Sequence, residues 1–340
     1  MKKNVTFNDI AKYTGFSKTT VSRYFNDPDS LTLENQQKIA DALVTLDYKE
    51  NKVARILANG QTEFIGIIVP NLFLHYYSEM LDKILATYDK YGYKFLVFVG
   101  NEHKETERKY IEELLAYKIE GMIIFSYTIP SEELAAYNVP IVTVEREDKF
   151  VCSVNTDNYM GGVQAAGLLV KSGCDVLIHI NSDVSKDVPS YGRITGFCDI
   201  CKERNISHEL ILMDMGNSYS ETSAVIQKLL ETIEKKYSGK CKGIFISNDT
   251  HANILLNILI RKYGKLPDDY KIVGFDNTSI SREAVIPIST IGQQIETMAN
   301  EAMELLLLQI NERKKRKPVP LDAPIHKTVT PILYRRDTTG

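Results

Sequence analysis

The 340-residue sequence predicts an α/β protein with parallel sheets, preceded by a small all-α module. Three observations lead there. Residues 1–47 show short helical segments and no strand pattern. From Phe64 onward, continuously apolar runs alternate with amphipathic stretches almost to the end of the chain. Strands that are apolar throughout and alternate with helices belong to parallel sheets covered on both faces. The composition, 44% apolar and 25% charged, suits globular cores and excludes disordered and fibrous classes. No apolar run reaches the roughly 18 residues of a membrane span, and the start Met1-Lys2-Lys3-Asn4 has no apolar export core. Five cysteines, odd in number and scattered, give no disulfide framework. These features point to the cytoplasm.

Within the module, Thr6 with Asp9 three residues on predicts a first helix N-cap, Gly15 a turn, and Ser17 a second cap. Asn26-Asp27-Pro28 predicts a break and Thr32 a third cap, with Ile10, Ala11, Val21, Ile39 and Leu43 forming a shared core. Beyond it, strands are predicted at 64–69, 93–99, 121–125, 140–144, 175–180, 209–213, 243–246 and 271–275. Helices are predicted between them at 76–91, 104–117, 157–171, 190–204, 219–236 and 249–263, then at 294–310, with a late isolated strand near Ala323 to Pro331. Two sheets are favoured over one, because Val151 to Asp157 follows a strand with no room for a helix and suits a crossover between lobes.

Helix, glycine-bearing turn and helix over Val5 to Arg23 is the layout of a helix-turn-helix. Lys18 and Thr19 open the second helix and point outward, while Val21 turns inward. In such a motif the first residues of the second helix meet base edges in the major groove; lysine can donate to guanine and threonine can touch thymine. The hydroxyls of Ser17, Thr20 and Ser22, with Arg23, suit phosphate contacts. The net charge of the chain is −3, which excludes a wholly polycationic binder, yet residues 1–25 hold five basic residues against Asp9 alone. By charge and periodicity alone, a solvated helical hairpin remains an equal reading. Residues 48–62 are too short and polar for a stable free helix and, taken alone, form an interdomain linker with Leu57 packing on a lobe.

Val5-Thr6-x-x-Asp9-Ile10-Ala11, Ser17-x-x-Thr20-Val21-Ser22-Arg23-x-x-Asn26 and Asn51-x-x-Ala54-Arg55-x-Leu57 are followed in order by further motifs. These are Ile65-Gly66-Ile67-Ile68-Val69-Pro70-Asn71, Asp157-Asn158 with Gly161-Gly162, Arg193-x-x-Gly196-Phe197, Asn248-Asp249 and Val273-Gly274-Phe275-Asp276-Asn277. The series resembles the lactose/galactose repressor (LacI/GalR) family of transcription regulators. That resemblance implies a helix-turn-helix headpiece at 1–47, a hinge at 48–62, and a two-lobed, periplasmic-binding-protein-like effector and dimerisation domain at 63–340. The first lobe is placed at about 63–156 and 290–318, the second at about 157–289 and 319–336.

The resemblance implies DNA contacts by Thr6, Ser17, Lys18, Thr19, Thr20, Ser22 and Arg23, and by the hinge residues Asn51, Ala54, Arg55 and Leu57. The hinge is then a helix that folds only when two subunits sit on an operator, with Leu57 as a minor-groove wedge. It also implies that Arg193, Asn248 and Asp276 hold hydroxyls of a sugar-like effector, beside Asn71 and Glu145 at strand ends and Tyr219 or Phe73 as stacking platform. Without it, Arg193 is a surface ion-pair partner, Asn248 a turn or cap residue, Asp276 a helix cap and Glu145 a solvated strand end. Asp157 reads equally as a cap and as a ligand contact.

Other features carry less. Cys198-x-x-Cys201 lacks a second ligand pair beyond His208, so neither a metal nor another cofactor is expected. No motif of a phosphate-binding loop, acyl transferase or zinc hydrolase occurs, so the chain is not read as an enzyme. Arg313 to Lys317 closes a helix, where cations complement its dipole. The function expected is a homodimeric, sequence-specific repressor on a pseudo-palindromic operator, controlled allosterically by a small sugar-like molecule. The alternative is a sugar-binding protein of the same bilobal fold without a regulatory role. Some members of the family depend on a phosphocarrier protein, and no residue here speaks for or against one.

Overall fold

The computed structural model describes residues 5–49, 62–146, 149–319 and 321–340. The chain divides into two compact units, Met1–Gln61 and Thr62–Gly340. In the first unit, α1 (Phe7–Thr14), α2 (Lys18–Asn26) and α3 (Leu33–Thr45) enclose a core of Ile10, Val21, Ile39 and Ala42, with Ala11 and Leu43 at its rim. The three caps form as the sequence predicts. The Thr6 amide donates to the Asp9 carboxylate at 2.9 Å, Ser17 Oγ accepts from the Thr20 amide at 3.1 Å, and Thr32 Oγ1 accepts from the Asn35 amide at 3.3 Å. Gly15 ends α1 at φ 75°, a conformation that costs glycine nothing. The predicted break is a single turn at Pro28–Ser30.

The second unit holds two six-stranded sheets. The first contains β1 (Phe64–Val69), β2 (Lys94–Val99), β3 (Gly121–Ile124), β4 (Ile141–Val144), β5 (Cys152–Thr156) and β11 (His326–Val329), in the order β11-β5-β4-β3-β1-β2 and parallel throughout. The second contains β6 (Val176–Asn181), β7 (Ser207–Leu212), β8 (Lys242–Ile246), β9 (Tyr270–Phe275), β10 (Ser289–Gly292) and β12 (Ile332–Tyr334), in the order β12-β10-β9-β8-β6-β7, with only β12 antiparallel. Central strands are buried along their length, which explains their unbroken apolar sequence; edge strand β7 is partly exposed.

Helices α4 (His75–Ala86), α5 (Tyr88–Tyr91), α6 (Lys104–Ala116) and α7 (Ser131–Ala136) belong to the first lobe. Helices α8 (Asn158–Lys171), α9 (Tyr191–Glu203), α10 (Tyr219–Lys236), α11 (Asp249–Tyr263) and α12 (Ser279–Glu283) belong to the second. The long α13 (Ile295–Lys314) returns to the first lobe, burying Met298, Ala302, Leu305 and Leu306 against its core.

The chain passes between lobes after β5, after β10 and between β11 and β12. One segment and two lobe limits differ from the sequence reading. Val151 to Asp157 is not only a crossover, since 152–156 first completes the first sheet between β4 and β11. Residues 290–292 stay in the second lobe as β10, and 326–329 pair with β5 in the first. Short polar strands such as β5, β10 and β11 lack a continuous apolar run and draw their order from neighbours already in place.

Candidate functional site

The carboxyl ends of both parallel sheets open onto one cavity of about 650 Å³, as open α/β sheets dictate for ligand sites. Asn71 follows β1, Glu102 β2, Tyr127 β3, Glu145 β4, Asp214 β7, Asn248 β8, Asp276 β9 and Gln293 β10, and all line it. Asn181, the last residue of β6, lines it too.

Arg193 occupies the centre because of its helix. Helices α8 and α9 pack backbone to backbone at two glycines: a Cβ on Gly162 would collide with the Arg193 carbonyl, and one on Gly196 with the Tyr159 carbonyl. That close approach brings the guanidinium over the Phe275 ring, 3.6 Å from its centroid. Its Nε donates to Asn158 Oδ1 at 2.7 Å and Nη1 to the Ser247 carbonyl at 2.8 Å. Nη2 lies 3.4 Å from Glu145 Oε2 in an ion pair whose side chains are 10% and 9% exposed. Arg193 from the second lobe thus meets Glu145 from the first. It is no surface partner, and Glu145 is no solvated strand end, since Glu145 also accepts from the Thr156 amide and from Asn158 Nδ2.

Asp276 is buried, with φ 105°, a backbone state that L-residues rarely hold. Gln293 Nε2 donates to its Oδ1 at 2.7 Å, and Thr156 Oγ1 donates to Gln293 Oε1 at 2.6 Å. Burial raises the Asp276 carboxyl well above the usual carboxylate range, Arg193 opposing and Asp249 reinforcing the rise. Asp249, pushed up to about 7 by burial, accepts from the Thr278 amide and hydroxyl and the Thr290 hydroxyl. Asn248 is the N-cap of α11, accepting from the His251 amide at 2.8 Å, and lines the cavity as well. Asp157 caps α8 through the Met160 amide at 2.9 Å.

Two aromatic residues read from the sequence do not line the cavity. Phe73 packs against the apolar core of the second lobe. Tyr219, first residue of α10, is 47% exposed, and its hydroxyl accepts from Arg261 at 3.4 Å. The aromatic lining comes instead from Tyr76, Tyr77 and Tyr127. They are among the lining residues that sequence reasoning passed over, with Glu102, Asn181, Asp214, His251 and Gln293. The strand-end positions of Asn181 and Tyr127 offered a signal; Tyr76 and Tyr77 only open the predicted helix 76–91, which says nothing of a cavity.

In the first unit, Thr6, Ser17, Lys18, Thr19 and Arg23 are exposed, and Thr20 and Ser22 are half-buried. Ser17 Oγ and Thr20 Oγ1 lie 2.9 Å apart, while Ser22 Oγ accepts from Asn26 at 3.1 Å. The hydroxyls therefore shape α2 locally, and Lys18 and Thr19 are its outward first-turn groups. The hinge residues Asn51, Ala54, Arg55 and Leu57 lie outside the described residues. Among the described residues, no helix is long and apolar enough to cross a membrane, and no group of acidic, histidine and cysteine side chains could hold a metal ion.

Comparison with known proteins matches each unit. Residues 6–51 match bacterial regulatory proteins of the lacI family, residues 62–234 match periplasmic binding proteins and the sugar binding domain of the LacI family, and residues 166–337 match a periplasmic binding protein-like domain. A sucrose operon repressor of Streptococcus mutans is 30% identical over 91% of this chain and 94% of its own length. A ribose operon repressor of Halalkalibacterium halodurans is 27% identical over 98% of this chain and 97% of its own. The lac repressor dimer bound to operator and the anti-inducer ONPF shares the fold, with a TM-score of 0.80 at 22% identity over 99% of both chains.

Proposed function

Because this chain belongs to the LacI family of bacterial regulatory proteins, we propose that it is a sequence-specific repressor of a carbohydrate-utilisation operon whose DNA affinity is set by a small sugar-like effector. The observation that carries the proposal is the union, in one chain, of a module with Lys18 and Thr19 outward on the first turn of α2 and a bilobal unit with a polar cavity. The relatives are operon repressors, not enzymes.

The module is too small to bind tightly alone, so two copies in a cytoplasmic homodimer reading a pseudo-palindromic operator supply the affinity. Lys18 and Thr19 meet base edges; Thr6, Ser17, Thr20, Ser22 and Arg23 fix register on phosphates. Asn51, Ala54, Arg55 and Leu57 form the hinge helix on DNA. Arg193, Asn248, Asp276, Asn71 and Glu145 hold the effector. Ligand changes the angle between the lobes, and the dimer thereby permits or forbids hinge folding, by no more than the ligand's differential affinity for the two states.

The test is selection of binding sites from random DNA, followed by titration of the selected duplex with and without candidate sugars. Full-length protein is expected to select a pseudo-palindrome, and a sugar to shift its affinity. A chain lacking residues 1–61 is expected to lose DNA binding and keep sugar binding; loss of both contradicts the modular scheme.

A further inference from the structure

We propose that the cavity selects an uncharged saccharide against its phosphate ester, with Tyr76, Asn181 and His251 as donors to ligand oxygens; this rests on reading the cavity as the effector site. Two independent features support it, the balance of charge and the unpaired donors.

Among the described residues lining the cavity, Glu102, Glu145, Asp183 and Asp214 face a single guanidinium, Arg193, and no lysine, while burial favours the neutral form of Asp276. A buried phosphate needs several cationic or amide donors free to meet it. Arg193 is already committed through Nε, Nη1 and Nη2 to Asn158, Ser247 and Glu145. The helix ends at the cavity are committed as well. Amides of Tyr191, Gly192 and Arg193 at the start of α9 donate to the carbonyls of Val188, Pro189 and Ser190, and the start of α11 is capped by Asn248 and carries Asp249. Burial and the field of Asp214 hold the Glu102 carboxyl above its usual range, so the two lobes already bring like charges together at the cavity. A phosphate would add a further anion.

A neutral polyhydroxyl ligand meets the opposite situation. Tyr76 Oη, Asn181 Nδ2 and His251 Nε2 are buried polar atoms without a hydrogen-bond partner among the described residues, in residues 6%, 4% and 3% exposed. His251 Nδ1 lies 3.1 Å from Asn248 Nδ2 and so accepts, leaving Nε2 as the N–H donor. Burial lowers this imidazole to about 4, so it is uncharged at neutral pH. Three donors among carboxylate acceptors match hydroxyl and ring oxygens, which accept and donate without bearing charge. Such a ligand supplies partners to the unpaired atoms, which is a basis for selectivity.

The experiment is isothermal titration of full-length protein with a panel of common mono- and disaccharides, each paired with its phosphate ester, and with inorganic phosphate alone. In any pair that binds, the neutral member is expected to be at least about tenfold tighter, as expected for a buried ester facing unscreened carboxylates. An ester that binds equally or more tightly, or stabilisation by inorganic phosphate, overturns the proposal and leaves the effector reading intact. Binding of no saccharide in either form overturns the carbohydrate reading itself and the proposal with it. With a binding pair in hand, E102Q and D214N are expected to narrow the ratio by about tenfold, and Y76F, N181A and H251A to weaken the neutral member by about tenfold each. Unchanged ratios in the first set refute the charge argument. Unchanged affinities in the second, with ligand-free melting confirming the fold, refute the donor assignment.

Discussion

Replacing Arg193 by methionine tests whether the site is held as described. The substitution preserves much of the side-chain volume over Phe275 but removes every donor and the charge. Glu145, its side chain 9% exposed, then loses its cation, and Asn158 Oδ1 and the Ser247 carbonyl lose their donors. Removing one partner of a buried pair costs about 3–5 kcal/mol. Here Glu145 keeps the Thr156 amide and Asn158 Nδ2, and the lost ion pair is long at 3.4 Å, so the lower end of that range applies. R193M is therefore expected to destabilise the 62–340 unit by about 3 kcal/mol in urea unfolding. The double variant R193M/E145Q removes the stranded charge and is expected to recover about 1–2 kcal/mol. A single variant within about 0.5 kcal/mol of the parent, or a double variant whose loss is the sum of both singles, would refute the account.

Three further outcomes follow from the same geometry. T32A removes the cap on the Asn35 amide and is expected to lower headpiece stability by about 1 kcal/mol, read by unfolding of the full chain followed at headpiece resonances. R23A is expected to reduce the magnitude of the slope of log affinity against log salt by about 1 with base preference intact, and K18A to relax base preference at one position; the reverse pattern in selection and salt titration would overturn the assignment. His179, stacked on Phe245 at 4.3 Å, is lowered to about 4 from 6.5 by burial. As pH falls, the unfolded chain takes up this proton first, so the contribution is whole above pH 6.5 and lost progressively toward pH 4, by about 3 kcal/mol. H179F is expected to show a correspondingly shallower acid loss than the parent in urea unfolding at pH 7, 5.5 and 4; parallel profiles would count against burial as the cause.

Much of this architecture was legible because it rests on local rules. The caps at Ser17 and Thr32 need only a hydroxyl and the amide three residues on, that at Thr6 only the Asp9 carboxylate three residues on, and the buried strands announce themselves as unbroken apolar runs. The strands missed were those whose order is borrowed. Cys152–Thr156 contains Ser, Asn and Thr, and pairs between β4 and β11 because those neighbours satisfy its backbone. Of the residues at the cavity, Asn71, Glu145, Asn248 and Asp276 were legible, since strand direction alone aims them there, whereas Glu102 and Asp214 hold equivalent places and were passed over. The aromatic ones were not. Phe73 and Tyr76 lie three residues apart in one segment, and only the packing of the lobes decides that Phe73 turns into the second lobe's core while Tyr76 lines the cavity.

The position of Asp276 connects the cavity to the places where the chain changes lobes. Its carboxyl is bonded to Gln293, one residue past β10, and Gln293 is bonded to Thr156, the last residue of β5. Two of the three interlobe crossings thus begin at side chains one or two hydrogen bonds from a residue that lines the cavity. Arg193 reaches the same region independently, through Asn158 just beyond the first crossing. Under the proposed effector reading, a ligand that draws on Asp276 or Arg193 acts on the segments that join the lobes, because Gln293 and Asn158 are buried and a lost bond there leaves an amide unpaired. The proposed coupling therefore needs no long relay: the groups that face the cavity and the groups at the crossings are neighbours in one buried network.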